Sequence, residues 1–136
     1  MQKELLYVFG TGNAAVTRCY NTCFALSDGN RHFLVDTGGG NRILKVLKDT
    51  GIQLEDIHDI FITHEHIDHV QGLGVLARRY GLPIYGTAAT FEAVKRMNSV
   101  GKIPDELFCP ICPDEVFEIE DLQIRPFSIS HDAADP

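Results

Sequence analysis

Phe61-Ile62-Thr63-His64-Glu65-His66-Ile67-Asp68-His69 is the stretch of this sequence that decides its fold. It follows an apolar run typical of a buried strand, and it places three histidines and an aspartate within six residues. In extended backbone His64 and His66 point to the same side, and Glu65 between them points away. Imidazole suits zinc, and imidazole with carboxylate suits zinc, manganese or iron. The pattern predicts a metal site, and the alternative is a polar loop that happens to be rich in histidine.

The spacing H-x-H-x-D-H resembles the signature of the metallo-β-lactamase superfamily. This resemblance implies that His64 and His66 bind a first metal together with a histidine from a later strand end. His131 is the only histidine downstream of the cluster, so it is the candidate. The resemblance also implies that Asp68 and His69 bind a second metal, and that Asp68 has a catalytic role in orienting the attacking water.

An aspartate that braces the metal loop is implied by the same resemblance. The superfamily has an aspartate after an early strand, and Phe33-Leu34-Val35-Asp36-Thr37-Gly38 supplies Asp36 there. Such a carboxylate is not itself a ligand, but it fixes the orientation of the imidazoles that are. Three imidazole ligands leave a fourth position open for water, so the sequence favours one zinc or manganese ion over two.

The pattern of apolar residues predicts an α/β chain with a mixed sheet. Hairpin strands followed by alternating strands and helices place the helices on one face of that sheet. The resemblance makes this one half of a metallo-β-lactamase αββα sandwich, so residues 1–136 are interpreted as a single, partial domain. Strands are expected at 5–9, 22–26, 31–36, 59–63, 83–86, 116–119 and 122–129, helices at 41–48, 70–80 and 87–97, and a loop at 99–113.

Composition narrows the class of protein. A length of 136 residues limits the chain to one domain, and no apolar run reaches the roughly 18 residues of a membrane span. The start Met1-Gln2-Lys3-Glu4 lacks a secretory pattern, so we expect a cytoplasmic protein with reduced cysteines and no membrane partner.

The net charge of −7 argues against a broad nucleic-acid-binding face. It does not exclude a nuclease, because bound divalent metals add local positive charge.

Different parts of the chain resemble two different branches of the superfamily. From about residue 63 it is similar to the YycJ (WalJ) exonuclease-like branch, most specifically in Ser130-His131-Asp132-Ala133-Ala134-Asp135-Pro136. Phe9-Gly10-Thr11-Gly12-Asn13-Ala14 instead resembles ribonuclease-Z-like hydrolases. Both relatives cleave phosphodiesters. The resemblance therefore implies a metal-dependent phosphodiesterase or nuclease, with nucleic acid as its substrate.

The sequence ends at Pro136, whereas members of the superfamily normally continue to a bridging aspartate and a last histidine. We therefore expect an N-terminal half with weak or no hydrolysis of its own. The predicted strands are apolar on successive residues, as in strands covered on both faces, so a homodimer through the uncovered sheet face is expected. The alternatives are a catalytically silent, self-associating metal-binding half-domain and a hydrolase of small esters, thioesters or lactams.

Two further motifs permit other interpretations. Cys109 and Cys112 have C-x-x-C spacing, and with Cys19 and Cys23 they would supply a four-thiolate zinc site. The alternative for Cys109 and Cys112 is that they are small buried hydrophobes on the approach to a strand. Gly10-Thr11-Gly12-Asn13 is either a phosphate cradle or a tight turn, and the missing Walker lysine favours the turn.

Overall fold

The computed structural model describes residues 4–13, 15 and 17–136. Residues 1–3, and Ala14 of the motif at 9–14, lie outside this part. The described chain forms a six-stranded sheet whose spatial order follows the chain order. The first, second and third strands pair antiparallel, and the third to the sixth strands pair parallel. The strands are β1 Leu5–Gly10, β2 Cys23–Ser27, β3 His32–Val35, β4 Ile57–Phe61, β5 Ile84–Thr87 and β6 Phe108–Ile111.

The helices follow the predicted order, except that two helices stand in place of the second predicted one. Gly51 and Gly81, both left-handed, end the first and third helices. The helix predicted over 70–80 is divided at Gly72, whose backbone N–H donates to the carbonyl oxygen of Gly38 at 3.4 Å and not to a carbonyl within the helix. The helices are α1 Arg42–Thr50, α2 Ile67–Val70, α3 Leu73–Tyr80 and α4 Ala88–Lys95, with 3-10 turns at Leu54–Asp56 and Asp105–Leu107.

The helices pack on one face of the sheet, which we call the helix face. Side chains alternate along each strand, so Leu34, Ile60 and Ile84 point into the core under the helices and are fully buried. They join Ile43 and Leu47 of α1 in one hydrophobic cluster. Burial of such side chains stabilises the fold by about 1.5–3 kcal/mol each. This core holds the carboxyl ends of the parallel strands at fixed positions.

The opposite, outer face is partly covered by a separate hairpin of β7 Phe117–Ile119 and β8 Leu122–Ile124. The ring of Phe117 stacks on Tyr85 of the sheet with centroids 5.5 Å apart. Arg31 also pairs with both Asp59 of the sheet and Glu120 in the hairpin turn. The sequence-based expectation that nothing covers this face is therefore wrong for the part under the hairpin.

The remainder of the outer face is apolar and open. Leu6 and Val8 of β1 are 59% and 57% exposed, and Leu26 beside them on β2 is 37% exposed. These side chains lie on the same face as Phe33, because cross-strand partners share a face of the sheet. An apolar sheet surface thus continues from the edge strand β1 towards the hairpin.

The prediction of a loop over 99–113 is wrong near its end, where Phe108–Ile111 forms β6 parallel to β5. Proline argues against a strand in the interior of a sheet. Pro110 is tolerated because β6 is the edge strand, where a missing N–H needs no partner. Among the described residues, no helix has the length and apolar content needed to cross a membrane.

Candidate metal centre

Three elements bring the candidate ligands to one edge of the sheet. Parallel strands end at the same edge, so the loop at residues 63–69 after β4, which we call the histidine loop, lies beside Asp36 after β3. The third element is the segment at residues 129–136, which we call the His131 segment. Its backbone closes on itself, because the N–H of Ile129 donates to the carbonyl oxygen of Pro136 at 3.0 Å.

The first cluster joins His64, His66 and His131. One ring nitrogen of each lies within 4.8 Å of the others. His131 Nε2 is 3.2 Å from His66 Nδ1. Nitrogens at about 2.0–2.1 Å from a tetrahedral zinc stand roughly 3.3 Å apart, so this donor set fits the ion. The structure thus brings together the three residues that the family resemblance implies as ligands of the first metal.

The second cluster joins Asp36, His64 and His69, again within 4.8 Å. Asp36 is already occupied as a hydrogen-bond acceptor. Its Oδ1 accepts from the backbone N–H of Thr63 at 2.9 Å, and its Oδ2 lies 2.7 Å from both the Thr63 hydroxyl and Nδ1 of His69. Asp36 is 4% exposed, so these bonds are shielded from water. Its contacts are those of a carboxylate that braces the histidine loop.

Thr63 contributes a contact that sequence reasoning missed. Its Oγ1 lies 2.7 Å from Oδ2 of Asp36 and 2.9 Å from Nδ1 of His64. A hydroxyl has one hydrogen, and the carboxylate can only accept, so Thr63 donates to Asp36 and accepts from the Nδ1–H of His64. This relay assigns the proton of His64 to Nδ1 and leaves Nε2 with a free lone pair. A hydroxyl residue directly before the first histidine was the available sequence signal.

Asp68 is less closely associated with the imidazole clusters. Its Oδ2 lies 3.4 Å from Nε2 of His69, so the two residues form a pair. Within the described part of the chain, Asp68 belongs to neither three-residue cluster. The rings of His69 and His64 are 4.2 Å apart, which places the Asp68–His69 pair beside the first cluster.

The histidines differ in their protonation preferences. Burial lowers the pKa of His64, and the neighbouring His69, His66 and His131 lower it further against the opposing charge of Asp36. Burial also lowers the pKa of His69, but the hydrogen bond and charge of Asp36 and the charge of Asp68 outweigh it, so the net shift is upward. His64 is therefore favoured as the neutral imidazole, the form that coordinates metals.

The turn that carries Asp36 is stabilised by hydrogen bonds of Tyr20 and Thr37, two residues that sequence reasoning also missed. Asp36 has a φ of 59°, a left-handed conformation that aspartate tolerates better than most residues. The buried Tyr20 hydroxyl donates to the carbonyl oxygen of Thr37 at 2.9 Å. Thr37 in turn donates through its N–H and its hydroxyl to the carbonyl oxygen of His69, at 2.8 and 3.0 Å. The Asp36 turn and the histidine loop are thus one connected unit.

The four cysteines lie outside the ligand clusters of the described residues. Cys23 is buried, whereas Cys19 and Cys112 are exposed. In the part of the chain that the structure describes, no cluster of three potential ligands includes a cysteine. The alternative of a four-thiolate zinc site is therefore wrong.

Comparisons with known proteins match this chain to a family and to named relatives. A family model described as "Anti-Pycsar protein Apyc1" matches residues 5–82. Exodeoxyribonuclease YycJ of Bacillus anthracis is 36% identical over 107 residues, covering 78% of this chain and 40% of that protein. Ribonuclease Z of Agathobacter rectalis is 29% identical over 120 residues, covering 81% of this chain and 39% of that protein. The chain thus spans well under half the length of these two curated relatives.

Solved structures agree on the architecture. The metallo-β-lactamase fold protein YhfI from Bacillus subtilis aligns with a TM-score of 0.77 at 20% identity. The alignment covers 98% of this chain and 56% of that chain. The prediction of a mixed sheet with helices, forming one half of an αββα sandwich, is confirmed.

Proposed function

Because this chain belongs to the Anti-Pycsar protein Apyc1 family and to the metallo-β-lactamase superfamily, we propose that it is part of a metal-dependent phosphodiesterase of the nuclease type. The observation that carries this proposal is the convergence of three imidazoles from two distant segments on one edge of the sheet. The names of two relatives, an exodeoxyribonuclease and a ribonuclease, support nucleic acid as the substrate class.

His64, His66 and His131 would hold one zinc or manganese ion. Such an ion supplies activation of water and neutralisation of charge at a phosphodiester. Asp36 and Thr63 hold the imidazole of His64 with Nε2 free, through the relay described above. Asp68 would orient the attacking water.

A single ion and weak hydrolysis are proposed for this chain alone. Asp68 and His69 offer only a pair of ligands, whereas the first cluster offers three. The chain also spans only 40% of the length of the related exodeoxyribonuclease. Losing part of a preorganised set of charges costs roughly two to three orders of magnitude in rate.

Metal content and turnover measured on the same sample test this proposal. We expect about one zinc or manganese per chain by mass spectrometry, and weak cleavage of bis(p-nitrophenyl) phosphate and of end-labelled DNA. His66→Ala and His131→Ala should lose most of the bound metal. His58→Ala is the matched control, because His58 lies within β4 and belongs to neither cluster. Wild-type stoichiometry in both cluster variants would overturn the metal assignment, and robust turnover by the pure chain would overturn the expectation of weak activity.

The second candidate function is a catalytically silent, metal-binding half-domain that forms a homodimer. The observation that favours it is the open apolar part of the outer face around Leu6, Val8 and Leu26. Two copies related by a two-fold axis would bury this surface on itself, because such an interface uses the same patch twice. Exposed apolar patches of more than a few hundred Å² are rare on monomers.

Sedimentation equilibrium separates dimer from monomer. We expect a dimer at micromolar concentration, and a shift to monomer in Val8→Lys, which places a charge on the exposed apolar patch. Phe127→Lys is the matched control, since Phe127 is 71% exposed and lies outside the six-stranded sheet and both segments of the metal centre. A monomeric wild-type protein of 15.1 kDa with cooperative unfolding excludes the dimer. Metal binding without turnover would favour this second function over the first.

A further inference from the structure

Glu65 lies between two candidate ligands, yet its side chain serves a different contact. Its Oε1 accepts a hydrogen bond from the backbone N–H of Ala134 at 2.8 Å. Its Oε2 is buried and has no hydrogen-bond partner among the described residues. A buried polar atom without a hydrogen-bond partner costs free energy, so the position of the half-buried Glu65 carboxylate needs a physical explanation. The contact joins residues 69 positions apart in the chain.

The segment that Glu65 contacts is held by few other bonds. The His131 side chain is 39% exposed, and that of the adjacent Asp132 is 87% exposed. The Thr90 hydroxyl approaches the carbonyl oxygen of Asp135 at 3.4 Å, near the limit for a hydrogen bond. His66 Nε2 lies 2.9 Å from the carbonyl oxygen of Asp132, but His66 is itself a proposed ligand. Glu65 is therefore the side chain of the histidine loop that fixes this segment without belonging to the proposed ligand set.

We propose that Glu65 is a positioning residue that latches the His131 segment onto the histidine loop, and thereby sets the place of the third imidazole. Ala134 lies three residues after His131 in a segment closed by its own backbone bond, so fixing Ala134 fixes the position from which His131 projects. The consequence for metal binding rests on the proposed function. Partners of this kind, which orient ligands without coordinating, typically contribute 10- to 100-fold to metal affinity.

Zinc affinity, measured by competition with a chromophoric chelator, tests the latch. Glu65→Ala should weaken zinc binding roughly tenfold or more. Glu65→Gln keeps an oxygen that can accept from the Ala134 N–H, so it should retain affinity to within about threefold. In a His131→Ala background, Glu65→Ala should cost less than about twofold, because the latched segment no longer carries a ligand. The exposed Glu115, changed to Ala, is the control for loss of a carboxylate.

A second measurement, on the protein before zinc is added, separates the latch from the metal site. The Ala134 amide resonance should move and broaden in Glu65→Ala, and stay near its wild-type position in Glu65→Gln and Glu115→Ala. An unmoved Ala134 resonance, or an equal loss of affinity with and without His131, overturns the inference. If the wild-type protein binds no zinc, the proposed function fails, while the Ala134 resonance still decides whether Glu65 holds the segment. Cooperative thermal unfolding of each variant shows that it is folded.

Discussion

Nδ1 of His69 donates a hydrogen bond to Oδ2 of Asp36 at 2.7 Å, which ties the loop after β4 to the turn after β3. Because the same carboxylate also accepts from Thr63, one side chain orients both His69 and, through Thr63, His64. The geometry of two imidazoles therefore depends on a residue that is not among the proposed ligands.

Replacing Asp36 by asparagine should weaken zinc binding about 10- to 100-fold. An amide keeps the volume but offers one acceptor oxygen in place of two, and its NH₂ group faces donors on Thr63 and His69. Chelator competition measures the loss. The exposed Asp121, changed to Asn, is the control for loss of charge, and equal affinities in the two variants would contradict the bracing role.

The relay through Thr63 predicts a difference between two substitutions at one position. Thr63→Val keeps the shape and removes the hydroxyl, so the proton on Nδ1 of His64 loses its acceptor, and zinc affinity should fall roughly tenfold. Thr63→Ser keeps the hydroxyl and should stay within about threefold of wild type. The ¹⁵N shifts of the His64 ring report its tautomer directly. A valine variant with an unchanged Nδ1–H tautomer and unchanged affinity would rule out the relay.

Gly38 should not tolerate a side chain. Its φ is +71°, and a Cβ would lie 2.5 Å from ring atoms of Tyr20. Gly38→Ala combines strain of about 1–2 kcal/mol with overpacking of about 1–3 kcal/mol, measured by urea unfolding. Gly51→Ala is the matched control, since Gly51 has a φ of +85° with nothing within 4 Å and loses only the first amount. Equal destabilisation would show that Tyr20 does not hold the turn.

Cys23 should resist alkylation in the native protein. Burial, with a smaller contribution from Asp36, raises its pKa from the ordinary 9.0 to about 12. At pH 8 only about one thiol in ten thousand is then ionised, so iodoacetamide should label the exposed Cys19 and Cys112 first. Mass mapping after timed quenching measures the rates, and labelling of Cys23 as fast as Cys112 would contradict the prediction.

The same shift has a consequence for stability against pH. The folded protein keeps the Cys23 proton to a higher pH than the unfolded chain, so the unfolded state binds fewer protons above about pH 9. The free energy of unfolding should therefore fall as pH rises from 9 towards 12. Cys23→Ala should flatten this fall, and urea titrations at several pH values measure it.

The sequence predicted the sheet, the helices and the shared side of His64 and His66 because these depend on short-range patterns. Alternation of apolar residues gives strands, and ligands two residues apart share a side in extended backbone. The joining of His64 with His131 came only from resemblance, since nothing local links residues so far apart.

The supporting contacts were not predictable in the same way. The Asp36–Thr63 bonds span 27 positions and the Glu65–Ala134 bond spans 69, so each exists only once the sheet has formed. Strand β6 was missed for a related reason. Whether a proline is tolerated depends on which strand lies at the edge, and that is a property of the assembled sheet.

Pro110 on the edge strand also restricts how two copies of this sheet can meet. A strand added alongside β6 would find no N–H at Pro110, and one of its carbonyl groups would stay unpaired. The other edge is also irregular, since the pairing of β1 shifts register between Val8 and Gly10. Growth of a continuous intermolecular sheet, the first step towards fibrils, is thus opposed at both ends. Any specific association of this protein is directed to the broad surface of the sheet.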